Sequence, residues 1–244
     1  MIEKQGFAGP LRLTFPSFFF QMRIPLLLLA VSGSSILAAQ AQTTIGRGTG
    51  LLSGSVGYHA DTRELSVTPI GSNTNSKVTY STFNIDVAAG GFVADNLALG
   101  IQLRHTVTGG SASNNQPAPP NSYMLRVGPM MQYYKMLSEQ FGLMAMLGAG
   151  YESDLDRTLL YSNGYPFPAP YYSTTKATGF YAALTPGIVF LPVPKFGLTA
   201  TIGSLAYNRL KVKDTTIDDN ISTVDAGFGF SQLQFGANYY FGRK

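Results

Sequence analysis

Residues 125–152 read LRVGPMMQYYKMLSEQFGLMAMLGAGYE, two runs of alternating side chains around a short polar turn at Ser138, Glu139 and Gln140. One face of each ribbon carries Leu125, Val127, Pro129, Met131 and Tyr133, then Phe141, Leu143, Ala145, Leu147 and Tyr151. The other carries Arg126, Gly128, Gln132, Gly142, Gly148, Gly150 and Glu152. Successive side chains of a strand point to opposite faces, so each run is a β-strand with one apolar side. Which side is inside decides the fold. In water the apolar side would be the core; in a membrane barrel it faces lipid and the Gly, Gln and charged side fills the interior.

Working outward from this hairpin, period-two patterning marks eight strands near residues 50–60, 77–93, 97–108, 122–136, 141–153, 175–191, 196–207 and 223–241. Their connections alternate between short and long. Ala94-Asp95-Asn96, Ser138-Glu139-Gln140 and Pro192-Val193-Pro194-Lys195 are short; 61–76, 109–121, 154–174 and 208–222 are long. An even number of antiparallel strands with tight turns at one end and long loops at the other is the plan of outer-membrane barrels. A soluble ligand-carrying barrel is the alternative fold, but it has no reason to segregate its loops in this way.

The apolar face sets a length test. Tyr123 and Tyr133, Phe141 and Tyr151, and Phe180 and Phe190 each bracket that face with ten residues between them. At a rise of about 3.3 Å per residue and a tilt near 40°, ten residues climb about 25 Å, the height of a lipid-facing band. Tyr58, Phe196, Tyr207, Tyr239 and Phe241 fall at matching depths, completing an expected aromatic girdle. The opposite face combines glycines (Gly57, Gly100, Gly128, Gly148, Gly187, Gly203, Gly236) with Gln102, Gln132, Gln232, Gln234 and Tyr134. Eight strands enclose a space just wide enough for side chains, so the expectation is a polar plug and not an open pore.

Register adds two ion pairs. Pairing Val93 with Leu97 across the first short turn sets inward Asp86 opposite inward Arg104, and pairing across the turn centred on Glu139 sets Arg126 opposite Glu152. A paired, hydrogen-bonded charge is tolerable in such an interior and an isolated one is not, so a structural, register-fixing role is expected for these four residues. Pro129 and Pro186 sit on the apolar face within strands and predict local bulges, as does a one-residue phase slip near Tyr80–Phe83.

Composition agrees. Only 12% of the 244 residues are charged, about half the usual share, while 27 Gly and 14 Tyr suit an all-β chain. With no Cys, disulfide scaffolds, zinc fingers and thiol chemistry are excluded. From Met22 the chain reads MRIPLLLLAVSGSSILAAQAQ, with Arg23, an apolar stretch and Ala39-Gln40-Ala41. That is the pattern of a secretory signal, too short in its apolar run to span a membrane. Residues 1–41 are therefore expected to be an N-terminal extension plus a signal peptide, with the true start at Met22 and cleavage after Ala41, and residues 42–244 the barrel. Removing 1–41 leaves 14 basic residues (17 less three) and 12 acidic (13 less one). No basic block marks a nucleic-acid partner.

Segments 81–103 (STFNIDVAAGGFVADNLALGIQL), 123–151, 179–208 (GFYAALTPGIVFLPVPKFGLTATIGSLAYN) and the closing SQLQFGANYYF resemble the small outer-membrane β-barrel proteins of Gram-negative bacteria, often described as porin-like. The resemblance spans about residues 46–241 and implies fold and location, the cell outer membrane, and not activity. Implied partners are outer-membrane lipid and lipopolysaccharide, and the barrel-assembly machinery, which reads an aromatic residue near the C-terminus; here Phe241 takes that place, followed by Gly242-Arg243-Lys244.

Such barrels include lipid-modifying enzymes, which need a catalytic constellation. The two histidines, His59 (inward) and His105 (lipid face), have no serine and carboxylate at recognisable spacing. No catalytic residue, cofactor or metal site is expected. Asp214, Asp218 and Asp219 lack the oxygen-ligand pattern of a calcium loop and read as a solvated loop. The segment YSNGYPFPAPYYS, 161–173, interleaves aromatic rings with proline and is a candidate surface for an extracellular ligand. The functional expectation is a non-enzymatic integral outer-membrane protein with an envelope-structural or binding role; the alternatives are a narrow channel for small or apolar solutes and a lipid-modifying enzyme.

Overall fold

The computed structural model describes residues 44–67, 74–113, 117–161, 170–212 and 220–243. The signal segment, most of the 161–173 loop and Asp214, Asp218 and Asp219 lie outside the described residues. The strands are β1 (Gly50–Val67), β2 (Thr74–Ala94), β3 (Leu97–Ala112), β4 (Ser122–Met136), β5 (Phe141–Tyr161), β6 (Pro170–Val193), β7 (Phe196–Ile202), β8 (Ser204–Val212), β9 (Asn220–Gly227) and β10 (Leu233–Phe241). Each of β1 to β6 pairs antiparallel with its sequence neighbour; β6 continues to β7, β7 to β10, and β10 returns to β1. This closes an eight-membered ring of up-and-down strands.

The apolar faces point outward. Leu125, Val127, Met131, Tyr133, Phe141, Leu143, Leu147 and Tyr151 are all exposed, and so are their counterparts around the ring, such as Ile101, Phe180, Ile188, Leu198 and Phe235. No water-soluble domain leaves a contiguous apolar belt of this extent uncovered, and a closed strand ring is one of two backbone designs that hydrocarbon tolerates.

Strands run further than the alternation predicts. β5 extends ten residues past Tyr151 and β6 begins ten before Phe180, so much of the expected 154–174 loop is a two-stranded hairpin. Likewise β1 and β2 stay paired from Tyr58↔Phe83 out to Val67↔Thr74. Beyond the apolar belt both faces of a ribbon meet water, so the period-two signal disappears while the ladder continues. The same fact explains the phase slip at Tyr80–Phe83. The register there is regular and holds no bulge; Phe83 is exposed on the outer face beside Tyr58, whereas Tyr80, of inward parity, is exposed because the strand has there left the barrel wall, and Arg63 lies over the Tyr80 ring.

Other expectations are corrected in detail. Val93 does not pair with Leu97: Ala94 does, and a bulge absorbs Val93. Asn96 adopts the left-handed conformation at φ 62, which its short polar side chain tolerates. Its Oδ1 accepts from the Ile45 amide at 2.8 Å and its own amide donates to the Ile45 carbonyl at 2.9 Å, so the turn clamps the N-terminal segment under the barrel. At Pro129 the register to β5 is preserved; the missing N–H simply interrupts the ladder between Val127↔Tyr151 and Met130↔Gly148. At Pro186 the irregularity is in the facing ribbon. β6 pairs Gly187↔Thr201 and then Leu184↔Leu205, one residue extra on the second ribbon, absorbed at Gly203. Gly203 has φ +77, and a Cβ there would collide with the Gly227 carbonyl, so only glycine suits the position.

The last ribbon is not one strand from 223 to 241. Gly227-Phe228-Gly229-Phe230 alternates like a strand in sequence, but residues 228–232 leave the ladder and close a 3-10 turn at Phe230–Gln232. Phe228 and Phe230 stay exposed. In consequence β9 pairs only with β8, and β1 loses its second partner after Val56↔Phe235. A seam between β1 and β9 follows from this detour.

Candidate functional site

The lumen divides into a filled half next to the short turns and a hollow half next to the long hairpins. The filled half is built by inward residues near the ends of β2, β4 and β10. Phe92, Tyr134 and Tyr240 meet on the axis with ring centroids 5.6 to 6.3 Å apart. Leu51, Met136, Val189, Leu191 and Ile45 pack around them, all almost fully buried. This part of the interior is aromatic and apolar, not polar as the inward glutamines predict. Parity already places Tyr134 on the inward face; Phe92 and Tyr240, the latter one residue out of step with the girdle residues Tyr239 and Phe241, join it there. One polar chain crosses this layer. Asn238 donates to the Tyr134 hydroxyl at 2.9 Å, which donates to Gln132 Oε1 at 2.6 Å. Arg243 lies over the Tyr240 ring at 5.8 Å.

Above the plug lie the ion pairs. Asp86 faces Arg104 across β2 and β3, with Arg104 Nε 2.8 Å from both carboxylate oxygens. Arg126 faces Glu152 across β4 and β5, donating through Nε at 3.0 Å and Nη2 at 3.2 Å. Arg104 and Arg126 are themselves opposed across β3 and β4, so the four residues form one belt over four adjacent strands of the ring. Links between non-neighbouring strands tie the belt across the lumen: Arg126 Nη2 donates to Asn208 Oδ1 at 3.2 Å, and its guanidinium lies 5.1 Å from the Tyr181 ring centre. Gln102 donates to the Tyr181 hydroxyl at 2.8 Å. A Cβ on Gly148 would overlap the Gln102 amide; the glycine makes the space the glutamine occupies.

Beyond the belt is a cavity of about 350 Å³, lined by polar side chains including His59, Asn84, Arg104, Arg126, Asn208, Asp225 and Gln234. His59 on β1 and Asp225 on β9 stand on the two sides of the seam, so the cavity reaches the barrel wall where the ladder is missing. Further along the inward face of β5, three residues past Tyr151 and opposite Met124, Asp154 buries Oδ1 without a partner among the described residues.

The residues expected to form the aromatic girdle share the outer face. Tyr58, Tyr133, Phe141, Tyr151, Phe180, Phe190, Phe196, Tyr207, Tyr239 and Phe241 are exposed on the outer face. Tyr123 is half-buried and stacks on His105, rings 6.3 Å apart and 11° from parallel. His59 and His105 therefore lie on opposite faces of the wall. Among the described residues no group of His, Cys, Asp or Glu is placed to hold a metal ion. Of the candidate ligand loop, Tyr171 and Tyr172 are described and exposed at the start of β6.

Comparison with known proteins finds no matching family model and no similar curated protein. Several solved structures share the architecture at low similarity. The outer membrane protein OprG from Pseudomonas aeruginosa aligns at 13% identity and TM-score 0.44, covering 80% of this chain and 97% of that one. The outer membrane protein AlkL, determined in lipid bilayers, aligns at 15% identity and TM-score 0.38, covering 83% and 94%. Ail, the attachment invasion locus protein of Yersinia pestis, aligns at 17% and TM-score 0.32, covering 79% and 99%. At these TM-scores the likenesses carry nothing about binding or activity.

Proposed function

We propose that this chain, a small outer-membrane β-barrel, is a non-enzymatic surface protein whose lumen is a blind vestibule: closed on the periplasmic side, open to the exterior, with a binding or envelope-structural role. In this reading the short turns and the N-terminus face the periplasm, and the long hairpins stand outside. The observation that carries it is the aromatic plug. Phe92, Tyr134 and Tyr240 close the axis with Ile45 capped beneath them, and no water-filled path is compatible with side chains packed to that extent. Planar-bilayer recording of the purified barrel tests this. A silent bilayer is expected, and stable discrete conductance steps would overturn it.

A second reading has its own observation, the seam. Backbone groups of β1 beyond Val56 and of β9 lack a ladder partner there, an arrangement that hydrocarbon penalises unless something else occupies the edge. Small apolar solutes entering the vestibule could leave sideways into the membrane. Uptake of an apolar solute by cells that depends on this protein, with a bilayer that stays electrically silent, would favour that reading. A third role, lipid modification, predicts an altered lipid A mass profile on deletion; no change is expected.

A further inference from the structure

We propose that the floor of the vestibule is a binding site for a small organic monocarboxylate, held by the unused donors of Arg104 and Arg126 with the Asn84 amide beside them. Arg104 spends only Nε on Asp86, and its two terminal amino groups donate to no acceptor among the described residues. Arg126 uses Nε and Nη2, and its Nη1 donates to no acceptor among the described residues. Asn84 accepts from Thr106 through Oδ1 at 2.6 Å, which leaves its amide N–H groups unspent. All three line the same cavity of about 350 Å³, a volume at the small end of ligand sites. The carboxylates of Asp86 and Glu152 are not part of that lining; they hold the guanidiniums from behind and present the donor edges inward.

The donor surplus selects an acceptor-rich ligand. Planar guanidinium edges match a planar carboxylate, in which two parallel N–H···O bonds can form. The surrounding charge argues against a ligand with more than one negative charge. Two arginines and two carboxylates already balance within the belt, and Asp225 adds a negative group at the mouth. A dianion such as phosphate would place its second charge against Asp86, Glu152 and Asp225. A neutral amide or polyol satisfies some donors but forgoes the charge-assisted bonds.

The site rests on the reading of the lumen as a closed vestibule, and the two fail separately: a barrel that conducts yet binds carboxylate sinks only the first, a silent barrel that binds none sinks only the second. The experiment is NMR of arginine Nε–H signals of the full barrel in lipid nanodiscs, titrated with propionate, propionamide and inorganic phosphate. Saturable propionate binding is expected, with propionamide and phosphate each at least about tenfold weaker. Arg104→Lys keeps the charge facing Asp86 but removes the fork, and is expected to weaken propionate about tenfold. Asn84→Ala provides a second variant should Arg104→Lys fail to fold, with a loss of a few fold. Asp225→Asn should bind as well as or better than the parent. Equal response to phosphate and propionate would mean an adventitious ion only; that outcome, an absent propionate response, or unchanged affinity in both floor variants overturns the proposal.

Discussion

Arg126→Ala is the substitution that most directly tests how the lumen is held together. Glu152 is 1% exposed and Arg126 8%, and the pair is joined by bonds of 3.0 and 3.2 Å. Removing the guanidinium leaves a buried carboxylate without its counter-charge, a change that costs about 3–5 kcal/mol. Two further contacts go with it, to Asn208 and to the Tyr181 ring. Against this, water from the adjoining cavity can enter the vacated space and solvate Glu152, which favours the lower end, about 3 kcal/mol. For a chain of this size that corresponds to a fall in Tm of roughly 6–12 °C. Glu152→Gln should cost less, about 1–2 kcal/mol, since the amide still accepts from Arg126. Asp61→Asn breaks the Arg63–Asp61 contact, whose side chains are 70% and 49% exposed, and serves as the internal control, with a change within about 0.5 kcal/mol. The assay is the gel-mobility shift of folded against heat-unfolded barrel in detergent, read as a melting curve. An Arg126→Ala midpoint indistinguishable from that of the Asp61→Asn control would refute a register-fixing role for the lumenal pairs.

Further consequences can be checked with the same preparation. Gly148→Ala forces its new methyl group into the Gln102 amide and should cost about 1–3 kcal/mol, with stability recovered in the Gly148→Ala/Gln102→Ala double variant. The Tyr134→Ala/Tyr240→Ala double variant removes two of the three axial rings and should convert a silent bilayer into one with small discrete steps.

The alternation in residues 125–152 was enough to read which faces are wet and which are greasy, because side-chain direction in a strand depends only on parity. The eight ribbons and the pairings Asp86↔Arg104 and Arg126↔Glu152 follow from local turns and a period of two. Where the signal failed, it failed for physical reasons. Strands outside the apolar belt lost their alternation while keeping their hydrogen bonds, and Gly227-Phe228-Gly229-Phe230 kept the alternation while leaving the ladder.

Sequence alone thus determined the wall of this protein: the eight ribbons of the ring, their facing and their neighbour register are properties of adjacent ribbons. Only the tertiary structure decided the contents of the wall. The Phe92–Tyr134–Tyr240 plug, the Arg126–Asn208 and Gln102–Tyr181 links, the hollow above them and the seam between β1 and β9 join residues from ribbons that are not neighbours. Such contacts depend on the barrel closing to one diameter and on Gly203 turning through a positive φ, and no periodicity along a single strand encodes either.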